Sequence, residues 1–255
     1  MEDCGLKLTK AQIKQHKAAL EVLAKPELTF DDKWFVLENW QESANHINSA
    51  AGAFFTPIGL ARDFAIEVVG SPIIDLCAGI GCLSFMAYHR SEWDRERPRV
   101  VCVEINPDYV EVGKKILPEA EWICASAFSV REGQYGCVIS NPPFGNILAP
   151  DFTGRYTGKS FEYKLIEHAS KLAKHGVFIV PQQSAPFRLS GQPYFREDEQ
   201  GESRKFREQT GIALEPGCGI DTSIYRDDWR GTGPTCEVVI CDFDQQPAFE
   251  LEAAA

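Results

Sequence analysis

The sequence predicts an α/β fold, a doubly wound and mostly parallel sheet behind an N-terminal helical extension. Two observations predict it. Between Pro72 and Pro181 short apolar runs alternate with amphipathic stretches of helical period, the order that builds a parallel sheet covered on both faces. The first run ends in Asp75-Leu76-Cys77-Ala78-Gly79-Ile80-Gly81, an acid and two glycines where a strand must turn tightly into a helix.

In chain order, Thr9 to Lys25 reads as a helix capped by Thr9, with Ile13, Ala18 or Ala19, Leu20 and Leu23 at helical spacing and Pro26 closing it. A second helix over Asp31 to Ser43 sets Trp34, Phe35, Leu37 and Trp40 in one apolar stripe for the core. After a turn at Ala50 to Ala53, Pro57 opens a helix running to Val69, with Thr56 as its N-cap. Strand 72–76, helix 81–89, strand 100–104, helix 107–117 and strands 122–124 and 135–140 follow. A helix over Ser160 to Lys174, with Phe161, Leu165, Ile166, Ala169 and Leu172 facing inward, leads to strand 176–181. Residues 182–212 lose any period, and loops of that length in a compact domain are functional or disordered. Gly219 to Tyr225 and Thr235 to Phe243 read as the two strands of a hairpin.

At 255 residues, 44% hydrophobic and 25% charged, the chain is expected to fold around one sizeable core. No leader of signal-peptide type and no stretch near the roughly 20 apolar residues of a membrane span occurs, so a cytoplasmic protein without membrane contact is expected. Cysteines such as Cys77, Cys102, Cys124, Cys137 and Cys241 sit in apolar runs without metal-ligand spacing, which predicts reduced thiols and no metal site. The net charge of −11 opposes phosphate contact unless cations gather on one face, and Arg155 to Arg207 is the stretch richest in them.

The first chemical constellation is a cofactor cleft. Glu104 ends the strand after the glycine turn, where a carboxylate can accept both hydroxyls of a ribose. Asp75 stands within reach of a cationic amino-acid group, an acid that a nicotinamide pyrophosphate would not want beside it. The full dinucleotide fingerprint is absent, since Ser84 stands where it needs Gly or Ala. Over roughly residues 52–181 and the last strands the sequence resembles the class I S-adenosylmethionine-dependent methyltransferases. The resemblance implies a Rossmann-like methyltransferase fold with an antiparallel last strand, an extension over 1–50 and a methyltransferase domain over 51–255. It implies S-adenosylmethionine as cofactor, with Glu104 and Ile105 holding ribose and adenine, and Asp75, Cys77, Ala78, Gly79 and Gly81 along the methionine moiety. The family's third cofactor position, usually acidic, falls on Ser126, a departure, with Ala127 beside it as a further cofactor contact.

The second constellation is Asn141-Pro142-Pro143-Phe144, delivered by an apolar strand to the same edge of the sheet. Consecutive prolines stiffen the backbone and leave carbonyls without competing local amides. The Asn141 side-chain oxygen and the Pro142 carbonyl can bind the two hydrogens of a conjugated amino group, which leaves alignment and electrostatics to do the catalysis. Phe144 is expected to stack on the acceptor ring, and Pro143 to hold the turn. These residues resemble the loop of amino-methyltransferases that act on adenine N6, on guanine N2 of ribosomal RNA, or on a glutamine side chain, and the resemblance adds Asn141 to the cofactor contacts.

Gly52-Ala53-Phe54-Phe55-Thr56-Pro57 is similar to the motif ahead of the cofactor region in adenine-N6 DNA methyltransferases, in which Phe55, Thr56 and Pro57 would close over the methionine end. The resemblance implies DNA as partner, with the adenine flipped out of the duplex, and the small size of the 182–212 segment predicts a short or relaxed recognition sequence. Residues 182–212 then form a target-contact insertion with Arg188, Arg196, Arg204, Lys205 and Arg207 toward the nucleic acid. RNA or a protein glutamine remain alternative acceptors. A cytosine C5 methyltransferase does not fit, because its nucleophile is a cysteine after proline and the chain has no Pro-Cys pair.

Overall fold

The apolar runs pair as one six-stranded sheet in the order β3-β2-β1-β4-β5-β8, from β1 (Ile73–Leu76), β2 (Val100–Glu104), β3 (Glu121–Cys124), β4 (Tyr135–Ser140), β5 (Ala173–Pro181) and β8 (Cys236–Asp242). The computed structural model describes residues 9–41, 54–90, 97–131, 133–230 and 233–244. The expected turn at 50–53 lies outside them. The first five strands are parallel, and β8 runs antiparallel along β5 from Pro181↔Cys236 to His175↔Asp242. This is the doubly wound sheet that the pattern predicts, with the antiparallel last strand that the resemblance implies.

Alternate residues of each strand feed two apolar layers. Ile73, Cys102, Ile139 and Ile179 face one, and Ile74, Val103, Val138 and Val180 the other. Helices α1 (Lys10–Leu23), α2 (Phe30–Asn39), α3 (Ile58–Phe64), α4 (Cys82–Arg90) and α5 (Pro107–Ile116) cover the first layer. Helices α6 (Phe161–Ala169) and α7 (Gly201–Thr210) cover the second. Burial on both faces is why β1 and β2 and the carboxyl halves of β4 and β5 read as continuous apolar runs rather than alternating ones. No helix among the described residues is long and apolar enough to cross a membrane.

The N-terminal helices start on reciprocal capping boxes. The Thr9 hydroxyl accepts from Gln12 N while Gln12 Oε1 accepts from Thr9 N, and Thr29 and Asp32 repeat the arrangement. Leu37 and Trp40 enter the same core as the sheet. The predicted stripes are only partly inward, however: Ile13, Leu20 and Phe35 stay exposed, because α1 and α2 pack on each other and on one side of the domain only.

Four expectations about elements are corrected. Thr56 does not cap α3. Pro57 occupies that position, the helix yields to a 3-10 turn after Phe64, and the Thr56 hydroxyl serves Asn141 instead. The helix expected to reach Lys174 stops at Ala169, since Ala173 already pairs with Tyr135 and sheet pairing overrides helical propensity there. Residues 219–225 do not form a hairpin strand. Asp221 accepts from Ser223 N and starts a 3-10 helix, Thr222–Asp228, leaving β8 to pair with β5. Finally, residues 182–212 are not one long loop. A 3-10 turn (Gln182–Ser184), the paired β6 (Phe187–Arg188) and β7 (Arg196–Glu197), and α7 organise them, with Phe206 of α7 fully buried and stacked on Tyr163 at 4.7 Å.

Candidate active site

Strand order reverses between β1 and β4, the point at which open α/β sheets bind ligands beyond their carboxyl ends. Asp75 sits in β1 and Asn141 directly follows β4, and Ser140 Oγ donates to Leu76 O, tying the two strand ends together. The turn after β1 needs unusual backbone. Cys77 has φ 63° and Gly79 φ 58°, and a Cβ on Gly79 would lie 3.0 Å from the Phe55 ring. A non-glycine residue in the left-handed region, as at Cys77, is the kind of local strain found at functional turns.

Glu104 holds that turn from the next strand. Its Oε2 accepts from Gly79 N at 2.8 Å and its Oε1 from Asn106 N at 2.8 Å. Burial raises its pKa against the pull of these bonds. Asp75 is fully enclosed, and its Oδ2 accepts from Ser84 Oγ at 2.7 Å while Oδ1 is buried with no hydrogen-bond partner. Burial pushes its carboxyl up to about 7, the Ser84 bond opposing and the charge of Glu104 adding to the shift. Ser84, read from the sequence only as a missing glycine, is thus the residue that orients Asp75.

Asn141 shows the same asymmetry. Its Nδ2 donates to Phe54 O at 2.8 Å and to Thr56 Oγ1 at 3.0 Å, and its Oδ1 is buried without a partner. The Phe54 carbonyl can only accept, which assigns the amide orientation. Phe55, Thr56, Asp75, Gly79 and Asn141 line one cavity of about 30 Å³, with Cys77 and Ala78 also in its wall. Phe54, Ile80, Leu37 of α2, and Cys82 and Leu83 of α4 complete it, and a reading of motifs alone did not select the three helix residues.

The other candidates, Glu104 among them, do not line this cavity. Pro57 and Gly81 are buried, and Ile105 is 69% exposed just past β2. Ser126 and Ala127 follow β3, where Ala125 N donates to Glu104 O. Pro142 is buried, while Pro143 and Phe144 are half-buried, the Phe144 ring 6.2 Å from that of Phe54. Three buried acids were missed altogether. Glu162 of α6 accepts from Gly145 N, Glu167 of α6 from Arg155 N and Tyr156 N, and Glu237 of β8 from Gln182 Nε2, Leu189 N and Ser190 N. Each sits inside an apolar periodic run, which was the available signal.

The basic residues of 182–212 are matched by as many acids: five of each. Arg188 is mostly enclosed, donates to the carbonyls of Gln182, Ala185 and Phe187, and pairs with Asp198. Arg196 pairs with Asp198, Arg204 with Glu208, Lys205 with Glu202 and Arg207 with Glu199, all four cations at the surface.

No protein-family model and no curated protein matches the sequence. Solved structures do match. A modification subunit assigned to a type I restriction enzyme of Vibrio vulnificus aligns at 12% identity and TM-score 0.55, over 84% of this chain and 50% of that one. A type I restriction-modification methyltransferase subunit of Streptococcus thermophilus aligns at 16% identity and TM-score 0.51, over 82% and 49%. The type IIG restriction endonuclease BpuSI aligns at 17% identity and TM-score 0.53, over 84% and 27%. The chain thus spans half or less of the length of each. With its parallel sheet, antiparallel edge strand and acid-glycine turn at the switch point, the chain has the Rossmann-like methyltransferase fold.

Proposed function

We propose that the protein is an S-adenosylmethionine-dependent methyltransferase that methylates the exocyclic N6 amino group of adenine in DNA. One observation carries the methyl-transfer reading: two buried side-chain oxygens without partners, Asp75 Oδ1 and Asn141 Oδ1, belong to residues lining the same cavity at the switch point. Buried polar atoms are nearly always bonded, so a pair of orphans in one pocket marks where a ligand's donors belong. The fit is chemical as well. An ammonium group suits Asp75, and an amino group with two hydrogens suits Asn141 Oδ1 and the Pro142 carbonyl. Glu104 rigidifies the turn between them.

Bound S-adenosylmethionine supplies an electrophilic methyl on a sulfonium centre. The chain's own residues align the acceptor. Asn141 is held by Phe54 and Thr56 so that its oxygen can accept an amino hydrogen and favour a more tetrahedral nitrogen. Phe144 offers a half-buried aromatic face for the base, as for a nucleotide turned out of a duplex.

DNA as substrate is supported by the restriction-modification proteins among the structural neighbours and by the Phe54-Phe55-Thr56-Pro57 segment touching Asn141. Arg196, Arg204, Lys205 and Arg207 are the proposed phosphate contacts. Their present ion pairs are exposed, and such pairs are worth about 0–1 kcal/mol, so exchange for phosphate costs little. Incubation with methyl-labelled cofactor and, separately, unmethylated duplex DNA, ribosomal RNA and cell protein tests the proposal. Label at adenine N6 in DNA is expected. Label in RNA or at a protein glutamine alone would reassign the acceptor, and label in none would overturn the reading.

A further inference from the structure

We infer that Glu162 is a positioning residue for the acceptor loop: its buried side chain locks Gly145, and with it the Asn141–Phe144 turn, to Ser184 beyond the end of β5. The inference rests on the reading of that turn as the acceptor site.

The argument starts from what the loop lacks. Pro142 and Pro143 have no N–H, so the middle of the turn cannot be anchored by its own amides. Its register must be set from the two ends. At the first end Asn141 is tied to Phe54 and Thr56. At the other, Gly145 is gripped on both sides of its backbone: Gly145 N donates to Glu162 Oε2 at 3.1 Å, and Phe161 N donates to Gly145 O at 2.8 Å. Gly145 takes φ +90°, a conformation that side chains rarely adopt, and these two hydrogen bonds hold the backbone on either side of it.

Glu162 also reaches across the sheet edge. Its Oε1 accepts from Ser184 Oγ at 2.7 Å, and the neighbouring Tyr163 OH donates to Ser184 O at 2.7 Å. Consecutive residues of α6 therefore hold the hydroxyl and the carbonyl of Ser184, while the same helix holds Gly145. The loops after β4 and β5 are clamped into one wall.

Simple packing does not call for an acid here. Glu162 is 1% exposed, at the head of the apolar stripe Leu165, Ile166 and Ala169, and no Lys or Arg bonds to it among the described residues. Burying a carboxylate without a cation is costly unless hydrogen bonds satisfy it, and leucine would fill the stripe more cheaply. The acid is kept for the donors it organises. Burial raises its pKa, and the hydrogen bonds from Ser184 and Gly145 pull it back toward the charged form.

The test compares Glu162→Leu, Glu162→Gln and Ser184→Ala with the parent protein. Three measurements are made: hydrogen exchange over residues 141–147, S-adenosylmethionine affinity, and methyl transfer to unmethylated duplex DNA. Glu162→Leu should speed exchange at 141–147 by about tenfold or more and lower kcat about 100-fold, the scale of an ångström-level misplacement, with cofactor affinity within about twofold. Glu162→Gln, which can still accept from Gly145 N, should recover most of both losses. If Glu162→Leu does not fold, Ser184→Ala still decides, because loosening at 141–147 from a change so distant in sequence requires the clamp. Unchanged exchange at 141–147 in Glu162→Leu, or in Ser184→Ala where the former is unfolded, overturns the inference. So does a fall in cofactor affinity equal to the fall in kcat. Should the parent protein methylate none of DNA, RNA or protein, the acceptor reading fails while the exchange data still report on the clamp.

Discussion

On the cofactor side of the sheet's carboxyl edge, Asp75 has one oxygen bonded to Ser84 and the other buried without a partner. On the acceptor side, Glu162 and Glu237 are as deeply buried yet have both oxygens taken. Glu237 accepts from Gln182 Nε2 at 2.7 Å, from Ser190 Oγ at 2.7 Å and from the amides of Leu189 and Ser190. The difference separates two uses of a buried acid. A satisfied carboxylate shapes its surroundings, whereas an unsatisfied one carries a desolvation cost that a proton or a ligand's donor must offset. Asn141 belongs with Asp75 on this criterion.

The largest effect should come from the orphan in the acceptor site. Asn141→Ala is expected to lower methyl transfer about 10³-fold, the range seen when a donor or acceptor aimed at a transition state is removed, with cofactor affinity changed only a few fold. Equal losses in calorimetric cofactor binding and in turnover would place Asn141 with the scaffold.

Asp75 should reveal itself through pH. Its folded pKa, about 7, lies above the usual carboxylate value of 3.8, so the unfolded chain gives up this proton first as pH rises. The ligand-free protein should therefore lose stability between about pH 4 and 7 and level off above, the reverse of a salt-bridged aspartate. Asp75→Asn should remove that slope and stabilise the ligand-free protein at pH 8 by up to about 4 kcal/mol, at about 1.4 kcal/mol per unit, while weakening cofactor binding. A denaturation series across pH, with and without cofactor, checks both halves.

Glu237→Leu should behave oppositely. It strands several buried donors, so a loss of about 3 kcal/mol is expected with early proteolysis near 182–192 and cofactor affinity retained. The smallest effects distinguish the cations. Arg188→Gln should cost about 1–3 kcal/mol by freeing three carbonyls and an acid. Arg196→Gln should leave the melting temperature nearly unchanged but lower the salt dependence of DNA binding by about one ion. The same salt slope for both variants would remove the distinction between strut and contact.

Strand identity was legible in the chain because burial on both faces leaves continuous apolar runs, and the glycine turn and the Asn-Pro-Pro-Phe loop mark where two of them end. The segment 182–212 was not. Its basic residues suggested a binding face, but their acidic neighbours are interleaved with them, and only the fold shows which cation meets which anion. Thr56 was legible as a residue near the site but not in its role, since capping a helix and bonding Asn141 draw on the same hydroxyl.

The sequence by itself determined the sheet's strands, the helices between them, and the placement of Asp75, Glu104 and Asn141 at strand ends, because each depends on local periodicity. Tertiary structure alone decided which polar atoms are satisfied. The bonds that settle the matter join Asn141 to Thr56 across 85 residues, Ser184 to Glu162 across 22 and Ser190 to Glu237 across 47. A hydrogen bond's existence depends on two groups meeting in space, which no local pattern encodes.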